Sequence, residues 1–356
     1  MSASQLYDTW FRRIRKLLAN ERITRVRNLT WLLVGLQLGQ RIQLSAIMSK
    51  LPFVAKLPSR VQRLSRFLQS EAFQVRTWYR PIAEKLLAEA ADHGTVRLLV
   101  DGTKIGAKHQ LLMVALAYRH RALPIAWCWV KGARGHCSAQ QQCHLLTDVH
   151  ALLPSTAHVE LAGDCEFGAV AVLQQLQTWH WHYVLRQKGN TQVCVATSRT
   201  WCSFKDLVTA KGQPFWHLHG LLTQHLYHTA LLAYWAPGEN RPCLLATNLS
   251  HPTATLHLYR HRMWIEEMFG DWKRHGVDIE TTHLRHEACL SRITFAVALW
   301  YLWLVTRGVQ AIKAGQRHLV DRRSRRDLSV FRIGLYLINR CCARSNPFTI
   351  HLIPYF

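Results

Sequence analysis

Acidic residues are scarce in this chain, with 21 Asp and Glu against 45 Lys and Arg, a formal net charge of +24 over 356 residues. Several other signals are missing. No cysteine pair has C-x-x-C spacing, although there are ten cysteines, so the sequence holds no zinc-ribbon or thioredoxin-type signature. The longest apolar run, Ile293 to Val305, is too short to cross a bilayer and reads as a buried helix, with no membrane partner expected. The opening MSASQLYDTWFRRIRKLL lacks the apolar stretch and small-residue cleavage site of a secretory signal, so a reducing compartment and free thiols are expected. Internal repeats and low-complexity tracts are absent. Charged residues make up only 19% and apolar residues 49%, which excludes a disordered chain and supplies enough apolar surface for real cores.

The excess positive charge says nothing about fold but much about partners: a pI near 10.2 calls for a polyanion, with nucleic acid the usual one. The charge collects at the two ends. Residues 1–80 hold 15 basic and 3 acidic residues, and residues 301–356 hold 10 and 2. Through residue 92, apolar residues recur at three and four spacing, as at Trp31 to Leu36 and at Val61, Leu64 and Leu68, with arginines between them. This reads as a helical basic region, either for DNA binding or simply as the charged face of a bundle.

After Gly94 the pattern changes. Arg97 to Asp101 reads as a short apolar strand that ends on an acid. Leu111–Tyr118 and Leu123–Val130 read as a hairpin around Arg119-His120-Arg121. Ser138 to Leu153 is helix-like, His158 to Asp164 is a second strand ending on an acid, Ala169–Thr178 is helical, and His182–Arg186 is a fifth strand. The order β-β-β-α-β-α-β is that of a ribonuclease H-like α/β core, whose sites gather at strand ends. Residues 190–256 read as a mostly β insertion, with Pro237-Gly238-Glu239-Asn240 as a turn. The expected division is a helical N-terminal region at 1–92, a core at 93–189 and 257–312, the insertion at 190–256, and a basic C-terminal region at 313–356. A Cys/His cluster from His136 to His144 has C-x5-C spacing, which is unusual for zinc, and reads as a helix instead.

The segment Tyr259 to Lys273 carries the sharpest pattern. On a helix at ~100° per residue, Arg262, Glu266 and Lys273 fall roughly 60°, 20° and 40° to one side of Tyr259, a single stripe ~60° wide. A carboxylate flanked by cations suits a place where phosphate and metal meet. A solvated face with an i,i+4 salt bridge fits the same spacing.

Tyr259, Arg262, Glu266 and Lys273 also form, without a gap, the Tyr-x2-Arg-x3-Glu-x6-Lys signature, which resembles that of the insertion sequence four family of bacterial DDE transposases. Val100-Asp101-Gly102-Thr103 is similar to that family's first-aspartate block, and Gly163-Asp164-Cys165-Glu166-Phe167-Gly168 to its second. Tyr183 to Asn190 is similar to the strand before its inserted β region. The resemblance covers about residues 95–312. It implies a catalytic triad of Asp101, Asp164 and Glu266 holding two Mg²⁺ (or Mn²⁺) ions, with Tyr259, Arg262 and Lys273 on DNA phosphates. It also implies a base-stacking tryptophan in the insertion, for which Trp235 stands nearest the expected place. The partners implied are transposon terminal inverted repeats and target DNA, bound by a homodimer on paired ends in a prokaryotic cytoplasm, at the nucleoid. A ribonuclease H-like nuclease without strand transfer would share the three acids, and an inactive DNA-binding relative would share the sequence blocks.

Overall fold

The computed structural model describes residues 3–106, 109–131, 137–195, 200–208 and 210–356. His136 of the Cys/His cluster lies outside them. The chain forms two compact units, one made of Met1–Glu89, Lys104–His109 and Met268–Phe356, the other of Ala90–Thr103 and Gln110–Glu267.

The first unit is helical. Five helices open it: α1 (Ala3–Leu17), α2 (Ile23–Gly39), α3 (Leu44–Ser49), α4 (Leu57–Gln69) and α5 (Val75–Asp92). Such residues make helices because apolar positions repeat every three to four places. Leu6, Trp10 and Ile14 are the buried face of α1, for example. The α1 ring of Trp10 meets Trp303 edge-on at 5.2 Å, and Phe73 meets Phe295 in the same way at 5.4 Å. Arg292 is buried as well. Its guanidinium donates to the backbone carbonyls of Leu68 (2.7 Å) and Phe73 (3.1 Å), which satisfies it without an acid.

The sheet unit carries β1 (Val96–Ile105), β2 (His109–Tyr118), β3 (Arg121–Lys131), α6 (Ala139–His150), β4 (Val159–Gly163), α7 (Val170–Thr178) and β5 (His182–Arg186). It continues with β6 (Gln192–Val195), β7 (Trp201–Ser203), β8 (Pro214–Leu222), β9 (Tyr227–Tyr234), β10 (Cys243–Thr247) and α8 (Pro252–Arg260). After α8 come α9 (Met263–Lys273), α10 (Glu287–Lys313) and α11 (Val330–Arg344). All ten strands join one mixed sheet in the order β3-β2-β1-β4-β5-β10-β9-β8-β6-β7. The protein is therefore a mixed α/β fold with helical segments at both ends of the chain. The expected helices and strands from 139 to 186 form within a few residues of their predicted limits. The turn between β2 and β3 is Arg119-His120, both with positive φ, as a two-residue hairpin turn of this hand requires. α6 starts at a capping box: the Ser138 hydroxyl accepts from the Gln141 N–H, and the Gln141 side chain accepts from the Ser138 N–H.

Two sequence expectations need correction. Asp101 does not end its strand, because β1 continues to Ile105. What ends beside Asp101 is the parallel pairing with β4, whose last partners are Val100 and Gly163. Nor is Tyr259–Lys273 one continuous helix. α8 stops at Arg260, and the chain crosses His261 and Arg262 through i→i+3 hydrogen bonds, with Arg262 N donating to Tyr259 O and Ile265 N to Arg262 O. A three-residue turn rotates the chain by more per residue than an α-helix does, so the angular position computed for Tyr259 does not hold. The i,i+4 relation of Arg262 to Glu266 survives.

The β-rich stretch expected at 190–256 is strands β6 to β10 followed by the start of α8. These strands do not form a separate sheet: β10 pairs antiparallel with β5 and carries the ladder outward. Among the described residues one helix, α10, is long and apolar enough to cross a membrane, and 89% of its most apolar stretch is buried inside the protein.

Candidate active site

Register brings the two aspartates together. β1 and β4 run parallel, with Leu99 opposite Ala162 and Val100 opposite Gly163, so Asp101 and Asp164 are the next residues at the same level on neighbouring strands. Adjacent strands lie about 4.8 Å apart, and side chains alternate faces, so both acids leave the sheet on one side. Gly163 permits the close approach. A Cβ there would stand 2.7 Å from Val100 Cγ1 and 2.9 Å from Leu185 Cδ2.

Each aspartate is held differently. Asp101 accepts from the Gly102 N–H at 2.8 Å, and its side chain is 14% exposed. Burial pushes its carboxyl up to about 7. Arg262 and the Gly102 N–H oppose the rise, and Asp164 and Glu266 add to it. Asp164 precedes a single 3-10 turn, Cys165–Phe167, and its Oδ1 is buried with no hydrogen-bond partner.

Glu266 lies in the first turn of α9. It reaches Asp101 through one intermediary: Arg262 Nη1 is 2.6 Å from Glu266 Oε1 and 3.5 Å from Asp101 Oδ2. Arg262 is 8% exposed. Burial alone would disfavour its charge, but Tyr259, Glu266, Asp101 and Asp164 together hold it more firmly protonated than a free arginine. The Arg262 guanidinium also lies 5.9 Å from the Tyr259 ring centroid. Tyr259 is half-buried, and the partial burial pushes its phenol up to about 12. The adjacent acid is separate, since Glu267 pairs with Arg121 at 3.2 Å.

The remaining sequence candidates have other partners. Lys273, in the last turn of α9, is bound to Glu280 at 2.7 Å and donates to the Lys104 carbonyl at 3.1 Å. Trp235 follows β9. Its indole N–H donates to Glu239 O at 2.9 Å, Lys211 lies 5.3 Å from its ring centroid, and no described interaction joins it to the aspartates. Glu166, two residues after Asp164, is a bracket. Its carboxylate accepts from the Cys137 N–H (2.7 Å) and from Gln110 Nε2 (3.0 Å), tying the 3-10 turn to β2 and the start of α6. All ten cysteines are free thiols.

Sequence reasoning missed Arg186. It ends β5, the strand next to β4, and is half-buried. Burial works against its charge, and the neighbouring Tyr259 hydroxyl, Cys243 thiol and Asp164 carboxylate raise its pKa. The available signal was a cation closing a strand that follows an acid-ended strand.

The donor set suits a hard divalent cation: oxygen ligands only, two of them at one level, with a buried Asp164 Oδ1 left unsatisfied. Among the described residues no three acid, histidine or cysteine side chains are grouped closely enough to hold a metal ion, and Glu266 is paired with Arg262. The arginine is the cation that this carboxylate cluster holds.

The transposase DDE domain family model matches residues 92–303, more than half of the chain. The chain belongs to the transposase DDE domain family. Among solved structures, a cryo-EM structure of the piggyBac transposase synaptic complex with hairpin DNA aligns over 98% of this chain and 80% of that chain, at 9% identity and a TM-score of 0.47. No curated protein matches the chain.

Proposed function

We propose that this protein is a DNA transposase that binds the two ends of a mobile element, cleaves them, and joins the freed 3′ ends to target DNA. The observation that carries the reading is the pair Asp101 and Asp164, side by side where β1 and β4 part, with Glu266 coupled to Asp101 through Arg262. Family membership supports it. The sheet order around β1, β4 and β5 is compatible with a ribonuclease H-like core.

Asp101, Asp164 and Glu266 are the residues that would hold two Mg²⁺ or Mn²⁺ ions. Bound there, such ions would activate an attacking oxygen and stabilise a leaving one. The chain's own side chains do the rest. Glu266 would exchange its pairing with Arg262 for a place in that ligand set. Arg262 would then have a planar fork free for phosphate oxygens beside the scissile bond. Arg186 places a second positive charge near Asp164, and Tyr259 presents its ring to Arg262. Lys273 adds a point charge for a further phosphate, and Trp235 offers a ring for an unstacked base once Lys211 moves aside. The large positive charge suits long duplex contacts with terminal inverted repeats and target DNA. A homodimer on paired ends in a prokaryotic cytoplasm is the assembly this reading implies.

The test uses the DNA that flanks the reading frame as substrate, with a target plasmid and Mg²⁺. The expected products are cleaved ends covalently joined to target. Cleavage without joined products would replace this reading with that of a nuclease, and DNA binding without cleavage with that of an inactive relative.

A further inference from the structure

We infer that residues 321–327, Asp-Arg-Arg-Ser-Arg-Arg-Asp, form a preorganised clamp for the phosphates of duplex DNA, separate from the carboxylate site. The inference rests on the reading of the chain as a DNA-acting protein, and assigns it a contact surface that the family signature does not contain.

The loop joins α10 to α11, and its base is rigid. A Cβ on Gly308 would collide with the Val330 carbonyl, and one on Gly334 with the Leu304 carbonyl, so the two helices cross with almost no space between their backbones. α11 is capped by Ser329, whose hydroxyl accepts from the Arg332 N–H.

Above this crossing the loop is wrapped around one partly buried ion pair. Arg317 Nη1 is 3.0 Å from Asp321 Oδ2. The same guanidinium donates to three carbonyls of the loop: Arg322 O (2.7 Å), Arg323 O (3.0 Å) and Arg325 O (2.9 Å). The Asp321 carboxylate, 2% exposed, accepts from the N–H groups of Arg322, Asp327 and Leu328. With carbonyls turned inward to Arg317 and amides to Asp321, the backbone has few conformations left, and the side chains of residues 322–326 are exposed.

Four of those five side chains are arginines. Arg322 and Arg325 share Asp327 at 3.2 and 2.7 Å and remain 75% and 78% exposed, which makes these weak, exchangeable pairs. Arg323 and Arg326 make no side-chain ion pair or hydrogen bond among the described residues. Four guanidinium groups held close together repel one another, a cost that a partner rich in negative charge removes. Arginine rather than lysine matches phosphate, whose oxygens a planar fork can bind in pairs. Duplex DNA supplies charges at the needed density, one per ~1.7 Å of axis. Residues 321–327 contain no apolar side chain to insert into a lipid surface, which sets the loop apart from an amphipathic membrane-binding segment.

The experiment measures binding of a random-sequence duplex by fluorescence anisotropy across a salt series, with the full chain. For Arg323→Gln/Arg326→Gln the expected result is weaker binding and a salt slope lower by about one to two units, at ~0.9 for each phosphate no longer neutralised. Asp321→Asn sharpens the test. It makes the chain more positive, so net charge alone calls for tighter binding, whereas a clamp without its internal fastening binds more weakly. Circular dichroism checks that both variants fold. An unchanged slope in the double arginine variant, with wild-type chain still binding DNA, overturns the clamp and leaves the transposase reading intact. Absence of DNA binding by the wild-type chain overturns both. Binding to phosphatidylserine vesicles in preference to DNA, abolished in the double variant, assigns the loop to membranes and overturns the inference.

Discussion

Arg317 with Asp321, in the helical unit, and Arg262 with Glu266, in the sheet unit, are both arginine–acid pairs four residues apart, at 3.0 and 2.6 Å. Their surroundings differ in how completely the acids are satisfied. Burial works against the charge of Asp321, but Arg317 and three backbone N–H groups hold its pKa below the usual carboxylate range. Around Arg262 the balance is reversed. One guanidinium faces both Glu266 and Asp101, Asp101 is pushed up to about 7 by burial, and Asp164 keeps a buried oxygen without a donor. A saturated pair organises the backbone. An undersupplied cluster leaves carboxylate oxygens short of donors.

The sharpest way to break this contrast is to remove the undersupplied acids. Asp101→Asn, Asp164→Asn and Glu266→Gln are each expected to bring end cleavage down to background while duplex binding persists, since positioning comes mainly from phosphate contacts. Gel assays of cleavage and binding on the same samples check this, and cleavage by Asp164→Asn at the normal rate would sink its role. Asp101→Asn should also raise the melting temperature of the metal-free protein, because a buried charge disappears.

Arg262→Ala comes next. It strips two carboxylates of their shared cation and should cost roughly 2–4 kcal/mol of stability in chelator. Mg²⁺ should restore more stability to this variant than it adds to wild type, as calorimetry with and without metal would show. Equal metal effects on the two proteins would mean that Arg262 does not stand in for a cation.

Asp321 supplies a smaller, pH-dependent effect. Its folded pKa lies below the unfolded value near 3.9, so the unfolded chain binds the proton more readily. The stability it contributes is therefore complete above about pH 5 and is lost as pH falls through the folded pKa. Urea unfolding of wild type and Asp321→Asn should differ by about 1–2 kcal/mol at neutral pH and converge towards pH 3. A gap that does not narrow on acidification would contradict the assignment.

Lys273→Ala is expected to have the least effect, lowering the salt slope of end binding by about one unit. Its partners Glu280 and the Lys104 carbonyl must first release it.

Much of this architecture was legible from residue order. Strands with near-continuous apolar runs, such as Leu98 to Val100 and Leu111 to Leu116, announce burial on both faces, and the run from Ile293 to Val305 announces a core helix. The acids were proposed because each follows an apolar strand or sits at a fixed helical spacing. What sequence spacing could not supply is long-range. That Asp101 lies mid-strand depends on where pairing with β4 stops, and the break at His261–Arg262 depends on a local change of hydrogen-bond step within an otherwise helical composition. Arg186 escaped notice because its importance comes from neighbours more than fifty residues away, Cys243 and Tyr259. The fastening of the 321–327 loop by Arg317 was hidden in the same way: a run of arginines reads as a solvated tail until its carbonyls are seen to share one donor.

The continuity of the ten-stranded sheet has a mechanical consequence. β10 is zipped to β5 through Leu245 opposite Arg186, Ala246 opposite Leu185 and Thr247 opposite Val184. The inserted strands therefore cannot swing as a hinged flap without tearing the ladder that holds Arg186 in place. Amides of β5 and β10 should exchange with solvent together, as one cooperative block rather than as core and appendage. Excision of β6 to β10 would leave β5 with an open row of donors and acceptors, an edge ready to pair with another chain, so the shortened protein should aggregate before it loses its helices.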